Sequence, residues 1–205
     1  NILENAADLT RQKQNEYLAI IVSNSNQLLH IVTDIIEMSQ IETGGVALYK
    51  EEFALAPVLR EVAVPWAQNA QHKGLDFVME PGRPDETLML YSDLHKLKAV
   101  LNNLLSNALK FTHNGQVVLG YHKEQGQVSF YVRDTGIGIA PENKALVFER
   151  FRQVESGKTR TYGGTGLGLS IARSYVEALG GRLHIASELG KGTEVSFTLP
   201  VFSNQ

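Results

Sequence analysis

The 205-residue sequence contains no cysteine, which excludes a disulfide framework, a thiolate metal centre and a thiol nucleophile. It has no strong charge of one sign: 19 Lys and Arg stand against 22 Asp and Glu, a formal net charge of −3. Bulk attraction to nucleic acid or to an anionic membrane is therefore not expected. No apolar run approaches the roughly 20 residues a spanning helix needs. The amino end also lacks the basic-then-apolar order of a secretory leader. A soluble, cytoplasmic piece is expected, with any membrane contact made only by segments outside it. Its first residue, Asn1, reads as an internal start within a longer chain. With 43% hydrophobic residues, about 70% of the open chain's surface can be buried, enough for one or two compact domains.

What is present falls into two textures. From Thr10 to Glu42, Tyr17, Ile21, Leu28, Val32 and Ile35 recur at steps of three, four or seven, which predicts one long helix. Gly44-Gly45 ends it. Asn1 to Ala7 reads as the tail of a preceding helix, with Asp8 or Thr10 capping the next, so residues 1–45 are expected to form a hairpin whose first arm is cut short. The wide apolar stripe needs a cover, most simply a second copy of itself. Residues 46–205 alternate instead. Strands are expected over Val46 to Phe53, Leu75 to Glu80, Thr87 to Tyr91, Val117 to Glu124, Gln127 to Asp134, Arg182 to Ser187 and Glu194 to Leu199. Helices are expected over Pro57 to Gln71, from a Ser92 or Asp93 cap to Lys110 or Phe111, Glu142 to Phe148, and Leu169 to Leu179. The economical packing is an α+β fold, one sheet with helices on one face.

Three clusters carry chemistry. Gly163-Gly164-Thr165-Gly166-Leu167-Gly168 runs straight into a helix, where close backbone approach and free N–H groups favour an anion. Alone it equally suits a flexible connector. Asp134-Thr135-Gly136-Ile137-Gly138-Ile139 places one carboxylate at a strand end. Such a group accepts from adenine's exocyclic amine and repels guanine's carbonyl, although an Asp-Gly turn has the same appearance. On the helix from Asp93, Asn103, Asn107 and Lys110 lie at i, i+4 and i+7, within about 60° of one another. Asn is a poor mid-helix residue, so a ligand is expected to require these amides. Asn107 offers a hard oxygen suited to Mg²⁺, and Lys110 a charge for phosphate.

In this order, Asn103-x-x-x-Asn107-x-x-Lys110-Phe111, Asp134-x-Gly136-x-Gly138, Phe148-x-x-Phe151 and Gly164-Thr165-Gly166-Leu167-Gly168-Leu169 resemble the N, G1, F and G2 boxes of the sensor histidine kinases of two-component systems. The closing Gly190-Lys191-Gly192-Thr193 and Phe197-Thr198-Leu199-Pro200 extend the resemblance over residues 46–200. It implies the two-layer α/β sandwich of GHKL-type ATPases, a mixed sheet with helices on one face, binding ATP and Mg²⁺. The helix over Thr10 to Glu42 is then similar to the second arm of the dimerisation and phosphotransfer hairpin. The resemblance places Asp134 at adenine with Thr193 assisting through water, Gly136 and Gly138 shaping the base pocket, and Phe111 and Ile139 beside them. It places Asn107 on the metal, with Asn103 and Lys110 toward the phosphates as the catalytic pair. Gly164, Thr165, Gly166, Leu167 and Gly168 would flank the phosphates at the base of a lid over Phe151 to Thr165. From that lid Arg160 or Lys158 would close on the γ-phosphate, and Phe148 and Phe151 would anchor it in the core.

Hydrolytic relatives carry a Glu one turn before the metal Asn as general base toward water. An amide at Asn103 cannot take that proton, which favours transfer to a better nucleophile. The phosphoacceptor box is absent: His30 is followed by Ile31-Val32, and His72, His95, His113, His122 and His184 lack the acidic-basic-Pro context. The acceptor histidine is therefore expected on an upstream helix. The expected partners are that helix, a second copy of the parent protein and a response-regulator receiver domain, with no nucleic acid. A degenerate ATP-binding sensor that dimerises, and an ATP-driven clamp, are the competing readings; Asn103 and the helical arm disfavour the clamp.

Overall fold

The structure, a computed structural model, describes residues 11–42, 46–81, 85–124, 126–152 and 165–201. Helix α1, Arg11–Glu42, has no acidic residue in its first turn and no basic residue in its last. Its dipole is thus uncompensated by charge, and packing must hold it. Two of its faces differ. Leu18, Ile21, Leu28, Val32 and Ile35 stay 45–62% exposed, whereas Met38 is buried and Ile41 packs against the core. Asp34, Glu37, Met38 and Ile41 share the inward face by their spacing of three, one and three.

Strand β1 (Glu51–Ala54) leads into α2 (Leu55–His72), then β2 (Asp76–Glu80), β3 (Met89–Ser92) and α3 (Leu94–Phe111). Helix α2 begins two residues before Pro57, because the missing N–H falls in a first turn whose donors have no helical partner. Asp93 caps α3: its Oδ1 accepts from Lys96 N at 2.9 Å, and its Oδ2 accepts from Tyr49 N at 2.8 Å. This buried carboxylate ties the segment after α1 to the start of α3. Strands β4 (Gln116–Glu124) and β5 (Gln127–Asp134), helix α4 (Gly168–Ala178), and strands β6 (Arg182–Glu188) and β7 (Gly192–Pro200) complete the described chain.

The main sheet has the order β2-β4-β5-β7-β6, with β2 parallel to β4 and every other pair antiparallel. Alternate residues Val117, Leu119, Val128, Phe130, Val132, Val195, Phe197 and Leu199 are buried in the same core as α2, α3 and α4, giving two layers. On the other face Tyr131 covers Gly120, where an added Cβ would lie 2.1 Å from the ring, and its hydroxyl donates to Glu80 Oε2 at 2.6 Å.

Two expectations need correction. The strand expected over Val46 to Phe53 is confined to Glu51–Ala54 and pairs only with β3, in a separate two-stranded ribbon. Leu55 N donating to Leu88 O and buried Leu90 bind that ribbon to the helical layer, so not every strand joins one sheet. The helix expected over Glu142 to Phe148 is two 3₁₀ turns, Pro141–Asn143 and Leu146–Phe148. Segments of three residues are too short to propagate i→i−4 bonding.

Candidate nucleotide site

The site is built where one end of the sheet meets the ends of α3 and α4. Asp134, the last residue of β5, pairs directly with Thr193 of β7, which pairs with Ser187 of β6. These three polar side chains form one row across three strands, on the face whose next residues inward, Val132 and Val195, are core. Asp134 Oδ1 accepts from Gly136 N at 2.8 Å and from Thr193 N at 3.3 Å. Among the described residues no protein donor meets its Oδ2. Burial pushes the Asp134 carboxyl above the ordinary aspartate range, and the two backbone N–H bonds pull it partly back.

The loop after Asp134 is strapped in place on both sides. Ile137 N donates to Phe111 O at 3.2 Å, at the end of α3, and Gly190 N donates to Ile137 O at 2.7 Å. Gly138 has φ +67°, and an added Cβ would lie 2.0 Å from Glu188 O, so both conformation and space demand glycine. Gly136 is restricted by space alone, against Phe111 O at 2.4 Å. Phe111 thus serves the site through its carbonyl, with its ring partly exposed.

Helix α3 turns Asn103 and Asn107 toward the start of α4: a Cβ on Gly168 would stand 3.1 Å from Asn103 Oδ1 and 4.0 Å from Asn107 Nδ2. The two amides and the first turn of α4, with its unpaired N–H groups, therefore line one corner. Gly166 has φ +70° and approaches the backbone of Phe151 and Arg152. Leu167 is completely buried, and its side chain packs in the core rather than toward a ligand.

Three expected residues sit differently. Thr165 turns its hydroxyl to α1, donating to Asp34 Oδ2 at 2.7 Å while accepting from Leu167 N at 3.1 Å. The Lys110 ammonium lies over the Phe111 ring, 4.8 Å from its centroid. Its side chain also lines an open groove of about 430 Å³ between α2 and α3, with Trp66, Asn69, His72, Lys73, Ser106 and Leu109. No carboxylate pairs with it among the described residues, and burial lowers its affinity for the proton. Phe151 is 69% exposed with φ +59°, so it is not a core anchor; Phe148 is half-buried, with the Arg173 guanidinium 5.5 Å from its ring centroid. The carbonyl of Leu146 accepts from Glu149 N and closes the turn that carries Phe148. Arg160, Lys158, Gly163 and Gly164 lie outside the described residues.

Ser187 was not anticipated from the sequence. Its oxygen accepts from Ile139 N at 2.8 Å, its proton goes to Gly192 O at 2.9 Å, and it lies 2.8 Å from Thr193 Oγ1. The available signal was the spacing of Gly190 and Gly192 in a tight β6–β7 turn, which sets Ser187 opposite Thr193. Among the described residues no three His, Asp or Glu side chains gather into a metal cage. A cation here would depend on amide oxygens and on a ligand's own phosphates, which matches the hard oxygen of Asn107. The glycine-lined corner and the unpaired Asp134 Oδ2 fit a nucleotide: an acceptor at one end, anion-binding backbone at the other.

The chain is similar to known proteins in both sequence and fold. Residues 92–203 match the family model for the histidine kinase-, DNA gyrase B- and HSP90-like ATPases. The autoinducer 2 sensor kinase/phosphatase LuxQ of Vibrio cholerae is 37% identical over 193 residues, 92% of this chain and 22% of that protein's length. Among solved structures, full-length ShkA in complex with AMPPNP is 30% identical with a TM-score of 0.79, covering 96% of this chain and 40% of ShkA. Histidine kinase ThkA in complex with response regulator TrrA is 26% identical with a TM-score of 0.72, covering 96% of this chain and 54% of that one. The chain therefore belongs to the histidine kinase-, DNA gyrase B- and HSP90-like ATPase family, as the ATP-binding catalytic domain of its sensor histidine kinases.

Proposed function

We propose that this chain binds Mg²⁺-ATP in the corner described and transfers the γ-phosphate to a histidine carried on a helix outside it, for relay to a response-regulator aspartate. The observation that carries the reading is the convergence of Asn103 and Asn107, the Asp134 to Ile139 loop and the Thr165 to Gly168 segment on one end of the sheet. Asp134, with Thr193, holds the 6-amino edge of adenine, while Gly136, Gly138 and Ile139 shape the base pocket. Asn107 holds Mg²⁺, which neutralises phosphate charge when bound. Asn103 and the first turn of α4 orient the phosphates, Lys110 swings from its place over Phe111 to meet them, and Arg160 closes on the γ-phosphate. The Asn103 amide cannot deprotonate water, so positioning and charge neutralisation supply the catalysis.

The likeness to LuxQ and to the AMPPNP-bound ShkA supports ATP as substrate, and the ThkA–TrrA complex supports a response-regulator partner. Residues 1–45 act as part of a dimerisation hairpin, supported by the apolar stripe that α1 leaves exposed. The test supplies a separate hairpin bearing an acceptor histidine together with labelled ATP and Mg²⁺. Acid-labile phosphate on that hairpin is expected. ATP binding without transfer would instead identify a nucleotide-gated sensor, and fast ATP turnover without acceptor would identify a clamp.

A further inference from the structure

Three groups converge on the Ser187 oxygen, and proton counting gives the arrangement a direction. A serine hydroxyl has one proton and two lone pairs. Gly192 O, at 2.9 Å, can only accept, so it takes the Ser187 proton. Ile139 N, at 2.8 Å, can only donate, so it occupies one lone pair. The remaining lone pair faces Thr193 Oγ1 at 2.8 Å and must receive the Thr193 proton. Thr193 is then left with lone pairs only. Beside it in the row, Asp134 Oδ1 is engaged by two backbone N–H groups and Oδ2 is a free acceptor among the described residues. The mouth of the pocket therefore presents acceptors from both side chains.

We infer that Ser187 is a specificity-determining positioning residue: by consuming the Thr193 proton it makes the pocket accept 6-amino purine triphosphates and reject 6-oxo ones. This rests on the nucleotide reading of the site. A 6-amino edge brings N–H donors to these acceptors. A 6-oxo edge brings a carbonyl oxygen, which meets only lone pairs. Without Ser187, the Thr193 hydroxyl is free to rotate and donate to that oxygen. The same serine also pins Ile139, so its loss has a signature in the ligand-free chain.

The test is equilibrium titration of the chain with ATP and with inosine triphosphate (ITP), its 6-oxo counterpart. Ser187→Ala is expected to lower the ATP-to-ITP affinity ratio by roughly tenfold, the scale of one hydrogen bond exchanged for another. Ser187→Thr should keep the ratio. Thr193→Val should lower it, and adding Ser187→Ala to Thr193→Val should lower it no further, since one acts through the other. Amide exchange at Ile139 in the ligand-free chain should quicken in Ser187→Ala. A ratio unchanged in Ser187→Ala, with both affinities reduced alike, would show a merely structural role and overturn the inference. Full additivity in the double variant would do the same. Should Ser187→Ala not fold, Ser187→Cys and Thr193→Val carry the decision, and a parental ratio in both refutes it. If neither nucleotide binds the parent chain, the nucleotide reading itself fails, and if Asp134→Asn leaves both affinities untouched, the base does not sit at Asp134; if only the serine variants are silent, that reading stands and this inference alone is lost.

Discussion

Replacing Asp134 by Asn exchanges one oxygen for an amide nitrogen at nearly constant size. The structure determines which oxygen is exchanged. Oδ1 is held by the N–H groups of Gly136 and Thr193, so the new carbonyl must stay there, because the amide nitrogen would face two donors. The new N–H₂ thus takes the place of Oδ2, and an acceptor aimed at the base becomes a donor. Toward ATP the change removes a charged hydrogen bond, about 1.5–3 kcal/mol, and toward ITP it adds a neutral one, about 0.5–1.5 kcal/mol. Together these shift the ATP-to-ITP ratio by about 2 kcal/mol or more, roughly thirtyfold at the least. Competition titration against a labelled nucleotide measures both affinities. The ligand-free chain offers a second reading of opposite sign. Burial raises the Asp134 pKa in the folded state, so the native chain binds this proton more tightly than the unfolded one does. That contribution to stability is present below the unfolded pKa and lost as pH rises through the folded one. The amide that replaces the carboxyl stays neutral throughout. The variant should therefore melt at a higher temperature than the parent at pH 7, with the gap closing as pH falls through the carboxylate range. An unchanged nucleotide ratio would remove Asp134 from the base pocket, and an unchanged melting difference across pH would refute the burial argument.

Asn107→Ala should weaken binding of Mg²⁺-ATP about tenfold or more while changing metal-free nucleotide affinity far less, as read by titration with and without chelator; equal losses would put the cation elsewhere. Gly138→Ala forces a Cβ to within 2.0 Å of Glu188 O at φ +67° and should destabilise the chain by about 1–3 kcal/mol in urea unfolding. A stability within error of the parent would mean the loop gives way freely. Asp34→Ala removes the acceptor of the Thr165 hydroxyl and should speed amide exchange over residues 34–41 without altering the sheet; uniform protection would show that Met38 and Ile41 hold α1 by themselves.

The hairpin β4–β5 and helix α3 were legible from periodicity because each buries a face whose spacing survives any packing: Val117, Leu119 and Tyr121 alternate, and Leu97, Leu101, Leu104 and Ala108 follow the helical turn. The glycines of the two loops were legible as well, since positive φ and close approach leave a mark on composition. The separate β1–β3 ribbon was not, because which edge a short strand pairs with depends on partners distant in sequence. Neither the exposure of Phe151 nor the place of Lys110 over Phe111 was legible, because a long or aromatic side chain chooses its neighbour among alternatives of similar energy.

The amino-acid order alone determined that Asn103 and Asn107 share a helix face, that Asp134 ends a strand, and that a glycine segment precedes α4, because these are relations between near neighbours along the chain. Tertiary structure alone decided that Ser187, Thr193 and Asp134 stand in one row, and that Asp34 of α1 reaches Thr165 across 131 positions. Strand register and helix docking arise from the burial of whole surfaces, and no local pattern encodes which distant residue a given polar atom will meet.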